Sequence, residues 1–333
     1  MSGPEPSVAA VRVAVRRALT DRPEAPGGVL VGCSGGADSV ALAAAVAFEA
    51  PRLGVQAGLV TVDHGLQPGS AERAAAVTEI GRRLRLDPVL AGTVQVGARG
   101  GPEAAARTAR YGALRAAAQA AGAGYVLLGH TLDDQAETVL LGLGRGSGPR
   151  SVAGMRPVDP PWLRPLLGVR RATTAAACAA EGLPVWDDPH NADPRFTRAR
   201  LRTEVLPLLE EVLRGGVAEA LARTAELLRS DLDALDSDAD RLLTELTAAG
   251  AADQAGGVTC RTLDASGLAA QPPALRGRVV RGWLHGGGIG APTSAHLTAI
   301  DALVTGWRGQ GPVALPGGFA VSRRHGRLHL DRG

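Results

Sequence analysis

The stretch that decides the fold of this chain is Val29-Leu30-Val31-Gly32-Cys33-Ser34-Gly35-Gly36-Ala37-Asp38-Ser39. Val29 to Val31 are apolar and largely β-branched, which is typical of a strand covered on both faces. Gly35 and Gly36 allow a sharp turn and a close approach to a ligand. The residues from Val40 to Ala50 are almost all Ala, Val and Leu, which predicts a buried helix. The stretch therefore predicts a strand, a tight polar loop and a helix N-terminus, where backbone N–H groups and the helix dipole bind anions.

The loop differs from the two common nucleotide loops. It has no Gly-Lys-Ser/Thr ending and no G-x-G-x-x-G pattern. None of the 36 basic side chains is a lysine, so phosphate must be met by backbone N–H groups, the hydroxyls of Ser34 and Ser39, arginines and a metal. Asp38 would repel phosphate unless Mg²⁺ lay between them, since Mg²⁺ binds through carboxylates and phosphates. The alternative is an ordinary turn with a serine cap, but the full Ser-Gly-Gly-Ala-Asp-Ser string favours a phosphate site.

Length, charge and cysteine content set broad limits. The chain has 333 residues, enough for two domains, and a net charge of +3, which is compatible with a polyanionic partner. Its three cysteines are Cys33, Cys178 and Cys260, which form no zinc or disulfide spacing. No apolar run approaches the ~20 residues that span a bilayer, and Met1 to Pro6 lacks a signal peptide core. We therefore expect a cytoplasmic protein with no membrane partner.

Polar residues follow two further predicted strands. Asp63 and His64 come after the apolar run from Gln56 to Val62, and Tyr125 to Gly129 is followed by the run His130-Thr131-Leu132-Asp133-Asp134-Gln135-Ala136-Glu137-Thr138. In an open parallel sheet, ligands bind beyond the carboxyl ends of strands. Both sets are therefore candidates to line a nucleotide site. For Asp63 and His64 a surface turn remains the alternative.

The run after the second of these strands holds one histidine and three carboxylates within eight residues. Acids in a first helical turn also favour the dipole, so a structural role is open. The cluster could instead hold a metal, accept a proton or bind a cationic substrate. On a neighbouring predicted helix, Glu103, Arg107 and Arg110 share one face, either as a solvated ion-pair face or as a phosphate clamp.

The remainder of the chain predicts an arginine-rich segment and a second domain. The residues from Leu183 to Trp186 predict a short strand. Four arginines then follow around Phe196: Arg195, Arg198, Arg200 and Arg202. This segment could bind RNA, with the aromatic ring stacking on a base and the arginines meeting phosphates, or it could be a solvated helix start. Gly215-Gly216 is the best break, which gives domains at 1–214 and 215–333. The second would contain a long helix from Val217 to Ala249, short helices and terminal strands.

Together these strings resemble the tRNA(Ile)-lysidine synthase family, within the N-type ATP pyrophosphatases. The resemblance runs from about residue 29 to 209, and Asp133 to Thr138 and Asp187 to Leu209 make it specific. It implies an α/β fold with a doubly wound, mostly parallel sheet and a PP-loop (adenine nucleotide alpha hydrolase-like), a helical linker and a small C-terminal α+β domain. Two positions depart from the family pattern, Thr131 in place of a second histidine and Ala199 in place of asparagine.

The resemblance also implies a reaction. ATP would adenylate the C2 oxygen of the wobble cytidine in the isoleucine tRNA with the CAU anticodon, releasing pyrophosphate, and free L-lysine would then displace AMP. The family pattern implies ATP binding by Ser34, Gly35, Gly36, Ala37, Asp38, Ser39, Asp63, His64, Arg107, Gly129 and His130. Asp38 would hold Mg²⁺, and Asp134 and Glu137 would bind lysine. The expected catalytic set is Asp38, Arg107, His130, Asp134 and Glu137, with tRNA bound by Arg195, Arg198, Arg200 and Arg202.

Three alternatives stay open from the sequence. A tRNA thiolase would need persulfide or cluster cysteines, for which no suitable pair exists. An amide-forming or amidine-forming synthetase acting on a small molecule would not need the arginine run. A catalytically silent RNA-binding module would not need Asp38, Asp134 and Glu137 together. The sequence leaves the oligomeric state open, with a homodimer among the alternatives.

Overall fold

The structure is a computed structural model that describes residues 3–22, 27–63, 69–94, 102–146, 148–188, 193–248 and 261–332. It contains two compact units, Met1–Glu226 and Leu227–Gly333. The division between them falls inside the long helix Val217–Ala248. The domain boundary between residues 214 and 215 stays a prediction.

The first unit is built from alternating strands and helices. Its strands are β1 (Val29–Gly32), β2 (Ala57–Asp63), β3 (Val89–Thr93), β4 (Tyr125–Leu128), β5 (Val158–Asp159) and β6 (Trp162–Leu163). Its helices are α1 (Pro6–Asp21), α2 (Ala37–Glu49), α3 (Ser70–Arg83), α4 (Pro102–Ala120), α5 (Leu132–Gly144), α6 (Pro149–Val152), α7 (Arg171–Ala180), α8 (Thr197–Arg200) and α9 (Leu206–Val212), and α10 (Val217–Ala248) begins in it. A 3₁₀ turn lies at Pro51–Leu53 and a π-helical turn at Leu201–Val205.

The six strands form one sheet in the order β3-β2-β1-β4-β6-β5. Neighbours from β3 to β6 are parallel, and only β5 pairs antiparallel with β6. The central strand β1 is buried on both faces. Val29 and Val31 pack into a core with α1, α2 and α7, whereas Leu30 packs on the opposite face with Leu114 of α4. The predicted doubly wound, mostly parallel sheet is confirmed.

The sheet has a topological switch point at β1. After β1 the chain adds β2 and β3 on one side, and then returns to place β4 on the other side. Such a reversal opens a crevice at the carboxyl ends of the two central strands. The loops after β1 and β4 approach closely here, since a Cβ on Gly129 would lie 3.0 Å from the carbonyl carbon and oxygen of Asp38. A side chain at position 129 would therefore require the Asp38 backbone to shift.

The second unit is a small α+β domain. Its four-stranded antiparallel sheet has the order β7-β10-β9-β8, formed by β7 (Arg261–Asp264), β8 (Val313–Leu315), β9 (Phe319–Arg324) and β10 (Arg327–Arg332). Three helices accompany it, α11 (Ala265–Ala269), α12 (Pro273–Gly286) and α13 (Ser294–Thr305). A core that includes Trp283, Ile300 and Leu328 joins helices and sheet. The predicted small C-terminal α+β domain is confirmed.

One predicted element is wrong. Residues 183–186 form no strand, because their backbone groups bond elsewhere. The Leu183 N–H donates to the Cys178 carbonyl at the end of α7 (2.9 Å), and the Trp186 N–H donates to the Gly35 carbonyl (2.9 Å). The segment is thus hydrogen-bonded to the loop after β1. Within the described residues, no helix combines the length and apolar character needed to span a membrane.

Candidate active site

The loop between β1 and α2 has the conformation of an anion site. Gly35 has φ +90°, in the left-handed region that favours glycine. Gly36 is the N-cap of α2, and no side chain caps that helix. The Ser39 hydroxyl donates to the Gly36 carbonyl (2.9 Å) and accepts from the Ser34 N–H (3.1 Å). Ser39 therefore shapes the loop, and the uncapped N-terminus of α2 is left for a negatively charged ligand.

A cleft of about 560 Å³ opens at the switch point. This volume falls within the range of small-molecule sites, about 300–1,000 Å³. The loop after β1, the residues after β4 and charged side chains from other elements line it together, including Ser34, Gly36, Ala37, Asp38, Ser39, Arg110, Gly129, His130, Asp134, Arg171 and Arg202. Most of the residues predicted to bind a nucleotide are thus brought to one cleft.

Arg171, at the first position of α7, joins the carboxylates of this cleft. Its Nε lies 3.3 Å from Asp38 Oδ2, its Nη2 2.6 Å from Asp134 Oδ1 and its Nη1 3.5 Å from Glu137 Oε1. Each of the three guanidinium nitrogens therefore faces a different carboxylate. The hydroxyl of Thr174, one turn later, donates to the other oxygen of Asp38.

Glu137 is fully buried and is surrounded by guanidinium groups. Arg202 Nε lies 2.8 Å from its Oε1, and Arg198 Nη1 lies 3.4 Å from its Oε2. Glu137 has 0% side-chain exposure. A buried carboxylate needs such partners, because an unpaired charge in the interior is costly.

Asp134 is oriented by the turn that starts α5. Its Oδ2 accepts from the Thr131 N–H (2.8 Å) and hydroxyl (3.0 Å), and Thr131 is the N-cap in a capping box with Asp134. The other oxygen, Oδ1, faces Arg171, with Arg202 3.6 Å away. Thr131, which departs from the family pattern, thus has a capping role that fixes one carboxylate oxygen and leaves the other toward the cleft.

The electrostatics separate the two aspartates. Burial raises the pKa of Asp38, although the Thr174 hydroxyl and the Arg171 charge oppose the rise. Burial also acts on Asp134, but Arg171, the Thr131 N–H and Arg202 outweigh it and lower its pKa. The carboxylates in turn raise the pKa of Arg171 against the effect of burial. Asp134 and Arg171 are therefore firmly charged at neutral pH.

His130 follows β4 and lines the cleft as a neutral imidazole. Burial, together with the nearby arginines, lowers its pKa to about 3. Its Nδ1 is buried and has no hydrogen-bond partner among the described residues. A neutral imidazole can donate or accept a hydrogen bond but carries no charge to balance phosphate.

The two arginines of α4 are placed differently. Arg110 lines the cleft, and burial lowers its pKa. Arg107 is exposed, and its guanidinium stacks on Tyr111 at 4.9 Å and donates to the Tyr111 hydroxyl (3.2 Å). The structure thus brings Arg110 into the cleft, and the phosphate role of Arg107 stays a prediction.

Other predicted residues lie outside the cleft. Asp63 ends β2, whereas Val60 and Val62 of that strand line the cleft. His64 lies outside the described residues. Arg195 and Arg200 are exposed and pair with Asp193 (2.7 Å) and Glu204 (2.8 Å), respectively. The other two arginines predicted to bind RNA, Arg198 and Arg202, contact Glu137 instead.

Sequence reasoning missed Arg171 and Thr174. A signal did exist, because the helix from Val169 to Glu181 begins with the pair Arg170-Arg171. Basic residues at a helix N-terminus oppose the dipole, so such a pair indicates acidic partners elsewhere in the fold. Arg170 also pairs with acidic residues, since its Nη2 lies 3.3 Å from Asp133 Oδ1 and its Nη1 lies 3.0 Å from Glu219 Oε1.

Two known protein families match separate parts of the chain. A PP-loop domain family matches residues 11–209, and a TilS substrate binding domain family matches residues 263–329. The solved structure of the U34-tRNA thiolase NcsA from Methanococcus maripaludis with its 4Fe-4S cluster superposes with a TM-score of 0.54 at 17% identity, covering 67% of this chain and 80% of that one. At this identity the likeness supports the fold alone.

Curated relatives match nearly the whole chain. The tRNA(Ile)-lysidine synthase of Streptomyces coelicolor is 54% identical over 361 aligned positions, covering 99% of this chain and 100% of that protein. That of Thermobifida fusca is 55% identical over 330 positions, covering 98% of each. That of Mycobacterium bovis is 55% identical over 307 positions, covering 91% and 90%. The chain belongs to the tRNA(Ile)-lysidine synthase family, within the PP-loop ATP-utilising proteins.

Proposed function

We propose that this chain is a carbon–nitrogen ligase that uses ATP to join free L-lysine to C2 of the wobble cytidine in the isoleucine tRNA with the CAU anticodon. The observation that carries this proposal is the shared cleft. The phosphate loop and Asp134 both line it, and Glu137, buried one turn after Asp134, pairs with the lining residues Arg171 and Arg202. A nucleotide phosphate and a substrate ammonium would therefore meet in one place.

The first step would be adenylation of the tRNA. The C2 oxygen of the cytidine attacks the α-phosphorus of ATP, a P–O bond forms, and the bond to pyrophosphate breaks. This step converts a poor leaving group into AMP. The uncapped N-terminus of α2 would hold the phosphates, with Arg110 and neutral His130 along the same cleft. Arg107 would contribute charge from the outer face of α4.

The second step would be attack by the lysine side chain. Its ε-nitrogen forms a bond to C2, the C2–O bond breaks and AMP leaves. Asp134 and Glu137 would bind the ε-ammonium and take the proton that must be lost, because a protonated amine is not a nucleophile. Asp134 Oδ1 faces the cleft while Oδ2 is held by Thr131, which suits it to orient the ammonium.

Asp38 is the residue suited to hold Mg²⁺. Among the described residues, no cluster of three or more His, Cys, Asp or Glu side chains could bind a metal by itself. Mg²⁺ commonly binds through one or two carboxylates with the remaining ligands from phosphate and water, and Asp38 supplies one carboxylate beside the phosphate loop. When bound, the ion would neutralise phosphate charge. Arg171 and Thr174 would have to release Asp38 for this.

The two cysteines in the described part of the chain, Cys33 and Cys178, are poorly suited to sulfur transfer, and Cys260 lies outside the described residues. Burial raises the pKa of Cys33 and, with Asp38 nearby, raises that of Cys178 to about 11. A reactive thiol needs a lowered pKa and access to solvent, and both side chains are buried.

Exposed Arg195 and Arg200 are the best placed of the four predicted arginines to meet tRNA phosphates. A cytoplasmic location and a homodimer stay predictions.

The test is incorporation of radiolabelled lysine by the purified protein with ATP, Mg²⁺ and a transcript of the CAU-anticodon isoleucine tRNA. A transcript with uridine in place of the wobble cytidine serves as the control. Incorporation into the first RNA alone, with AMP release that needs both lysine and tRNA, is expected. AMP release that needs no lysine, or incorporation into the uridine transcript, would contradict the proposed function.

A further inference from the structure

The Arg171 side chain contacts carboxylates that belong to two different parts of the cleft. Arg171 contacts Asp38, next to the phosphate loop, and also Asp134 and Glu137, the acid pair on α5. Its three nitrogens are divided among three carboxylates that the proposed function assigns to two different cations, Mg²⁺ and the lysine ammonium. An arginine can bridge such a set because its donors form a rigid planar fork.

The position of Arg171 overlaps the position that a bound ammonium needs. Its Nη2 lies 2.6 Å from Asp134 Oδ1, which is a full hydrogen-bonding contact to the only oxygen of Asp134 that is not held by Thr131. A lysine Nζ that bonds this oxygen would bring a second positive charge to about 2.7–2.9 Å from it. Lysine and the observed Arg171 side chain therefore compete for Asp134 Oδ1.

The charges at the site reinforce this exclusion. Three carboxylates face three guanidiniums, from Arg171, Arg198 and Arg202. These six groups together are thus close to neutral before any substrate binds. An added ammonium would be an extra positive charge beside carboxylates that already have guanidinium partners, whereas ATP brings several negative charges. A guanidinium that leaves the carboxylates would find phosphate oxygens, which its fork also fits.

We propose that Arg171 is an internal cation that occupies the lysine site of the empty enzyme, and that ATP draws it away, so that ATP binds before lysine. The inference rests on the proposed function. Arg171 lines the same cleft as the phosphate loop, so its guanidinium needs only to exchange carboxylate partners for phosphate. ATP and lysine then bind with positive coupling, because the first ligand removes a competitor of the second.

The experiment is calorimetric titration of lysine into the full-length protein, with and without a non-hydrolysable ATP analogue and Mg²⁺. For the wild-type protein, the analogue should lower the Kd for lysine by about fivefold or more, the lower end of typical coupling. Arg171→Gln removes the competing charge, so its Kd for lysine should change less than about twofold on adding the analogue, well short of that coupling range.

Arg170→Gln is the matched control. Arg170 precedes Arg171 in the chain and is paired with Asp133 and Glu219, but it does not line the cleft. This variant should keep the wild-type coupling. Arg171→Lys keeps a charge that cannot span three carboxylates, and it should show reduced coupling. It carries the test if thermal denaturation shows that the Gln variant is unfolded.

Several outcomes would overturn the inference. They are wild-type lysine affinity that is independent of the analogue, unchanged coupling in a folded Arg171 variant, and loss of all lysine binding in that variant. The incorporation assay separates these failures from failure of the function. A wild-type protein that modifies tRNA without coupling refutes only the order of binding. One that neither binds lysine nor modifies tRNA refutes both.

Discussion

Replacing Glu137 with glutamine tests the acid site directly, since the change removes a charge but almost no volume. Glu137 is fully buried, and its oxygens lie 2.8 Å from Arg202, 3.4 Å from Arg198 and 3.5 Å from Arg171. The amide could still accept one hydrogen bond from a guanidinium. It could not balance a bound ammonium, so the effect should fall on lysine rather than on ATP.

The magnitude follows from the bond that is lost. A hydrogen bond to a charged group contributes about 1.5–3 kcal/mol, and each 1.4 kcal/mol corresponds to a factor of about ten. The KM for lysine should therefore rise by about tenfold to about 150-fold. The KM for ATP should change by less than about twofold, well below one such bond, because Glu137 does not line the cleft and its contacts are with arginines rather than with the phosphate loop.

The assay is steady-state lysine incorporation into the tRNA transcript, with lysine and ATP varied separately. Glu49→Gln is the matched control. Glu49 is also buried, with 1% exposure, and its carboxylate pairs with Arg16 at 2.8 Å, but it lies at the end of α2, outside the cleft. Both variants lose a buried carboxylate, so any general loss of stability should appear in both. Only Glu137→Gln should raise the KM for lysine.

Two results would refute this reasoning. One is a KM for lysine that is unchanged in Glu137→Gln, which would remove the carboxylate from the lysine site. The other is an equal rise in Glu49→Gln, which would show that the effect comes from weakened folding. Thermal denaturation of both proteins, measured in the same buffer, distinguishes the second result from a specific defect.

Four further predictions concern the other side chains of the site. Asp38→Ala should abolish AMP formation in a chromatographic assay, because Mg²⁺ loses its carboxylate, and full turnover would contradict this. Arg110→Ala should raise the KM for ATP more than Arg107→Ala does, since only Arg110 lines the cleft. The lowered pKa of His130, about 3, means that the unfolded chain takes up a proton below pH 6.5 that the folded protein does not. Stability should therefore fall as the pH drops from 6.5 toward 3, by up to about 1.4 kcal/mol per pH unit, and His130→Asn should remove that part of the slope in urea titrations. Thr131→Ala should lower the free energy of unfolding by about 0.5–2 kcal/mol, and Thr131→Ser should restore it.

The phosphate loop and the acid pair could be predicted because their signals are local. An apolar strand, a polar turn and a helix follow one another within the residues 29–49, and again within 125–144. In a parallel sheet the carboxyl ends of strands share one edge, so the two sets were expected to meet. The structure brings them together at β1 and β4. The prediction that the phosphate loop and the acid pair lie close together thus needed only the expectation of a parallel sheet.

The sequence of α4 does not decide between Arg107 and Arg110. Alanines occur all around α4, so periodicity gives little direction. The only large aliphatic residue in Pro102–Ala120 is Leu114, and Leu114 is buried against the sheet. Arg107 and Arg110 precede it by seven and four residues, so both lie on its face of the helix. The helical phase therefore does not separate the two arginines, and only the folded structure shows that Arg110 lines the cleft while Arg107 is exposed.

Arg171 depends on contacts that no local pattern contains. Its partners Asp38 and Asp134 lie 133 and 37 residues earlier in the chain. Local physics gives only the anomaly, a basic residue at the N-terminus of α7, where the dipole disfavours it. The anomaly implies a compensating negative field, but not which carboxylates supply it. Here these carboxylates are the ones that the proposed reaction needs to bind Mg²⁺ and the lysine ammonium. Their attraction for Arg171 offsets the unfavourable interaction of Arg171 with the dipole of α7. The basic pair at the start of α7 therefore indicates acidic partners in the fold, and only the folded structure identifies them as Asp38, Asp134 and Glu137 for Arg171.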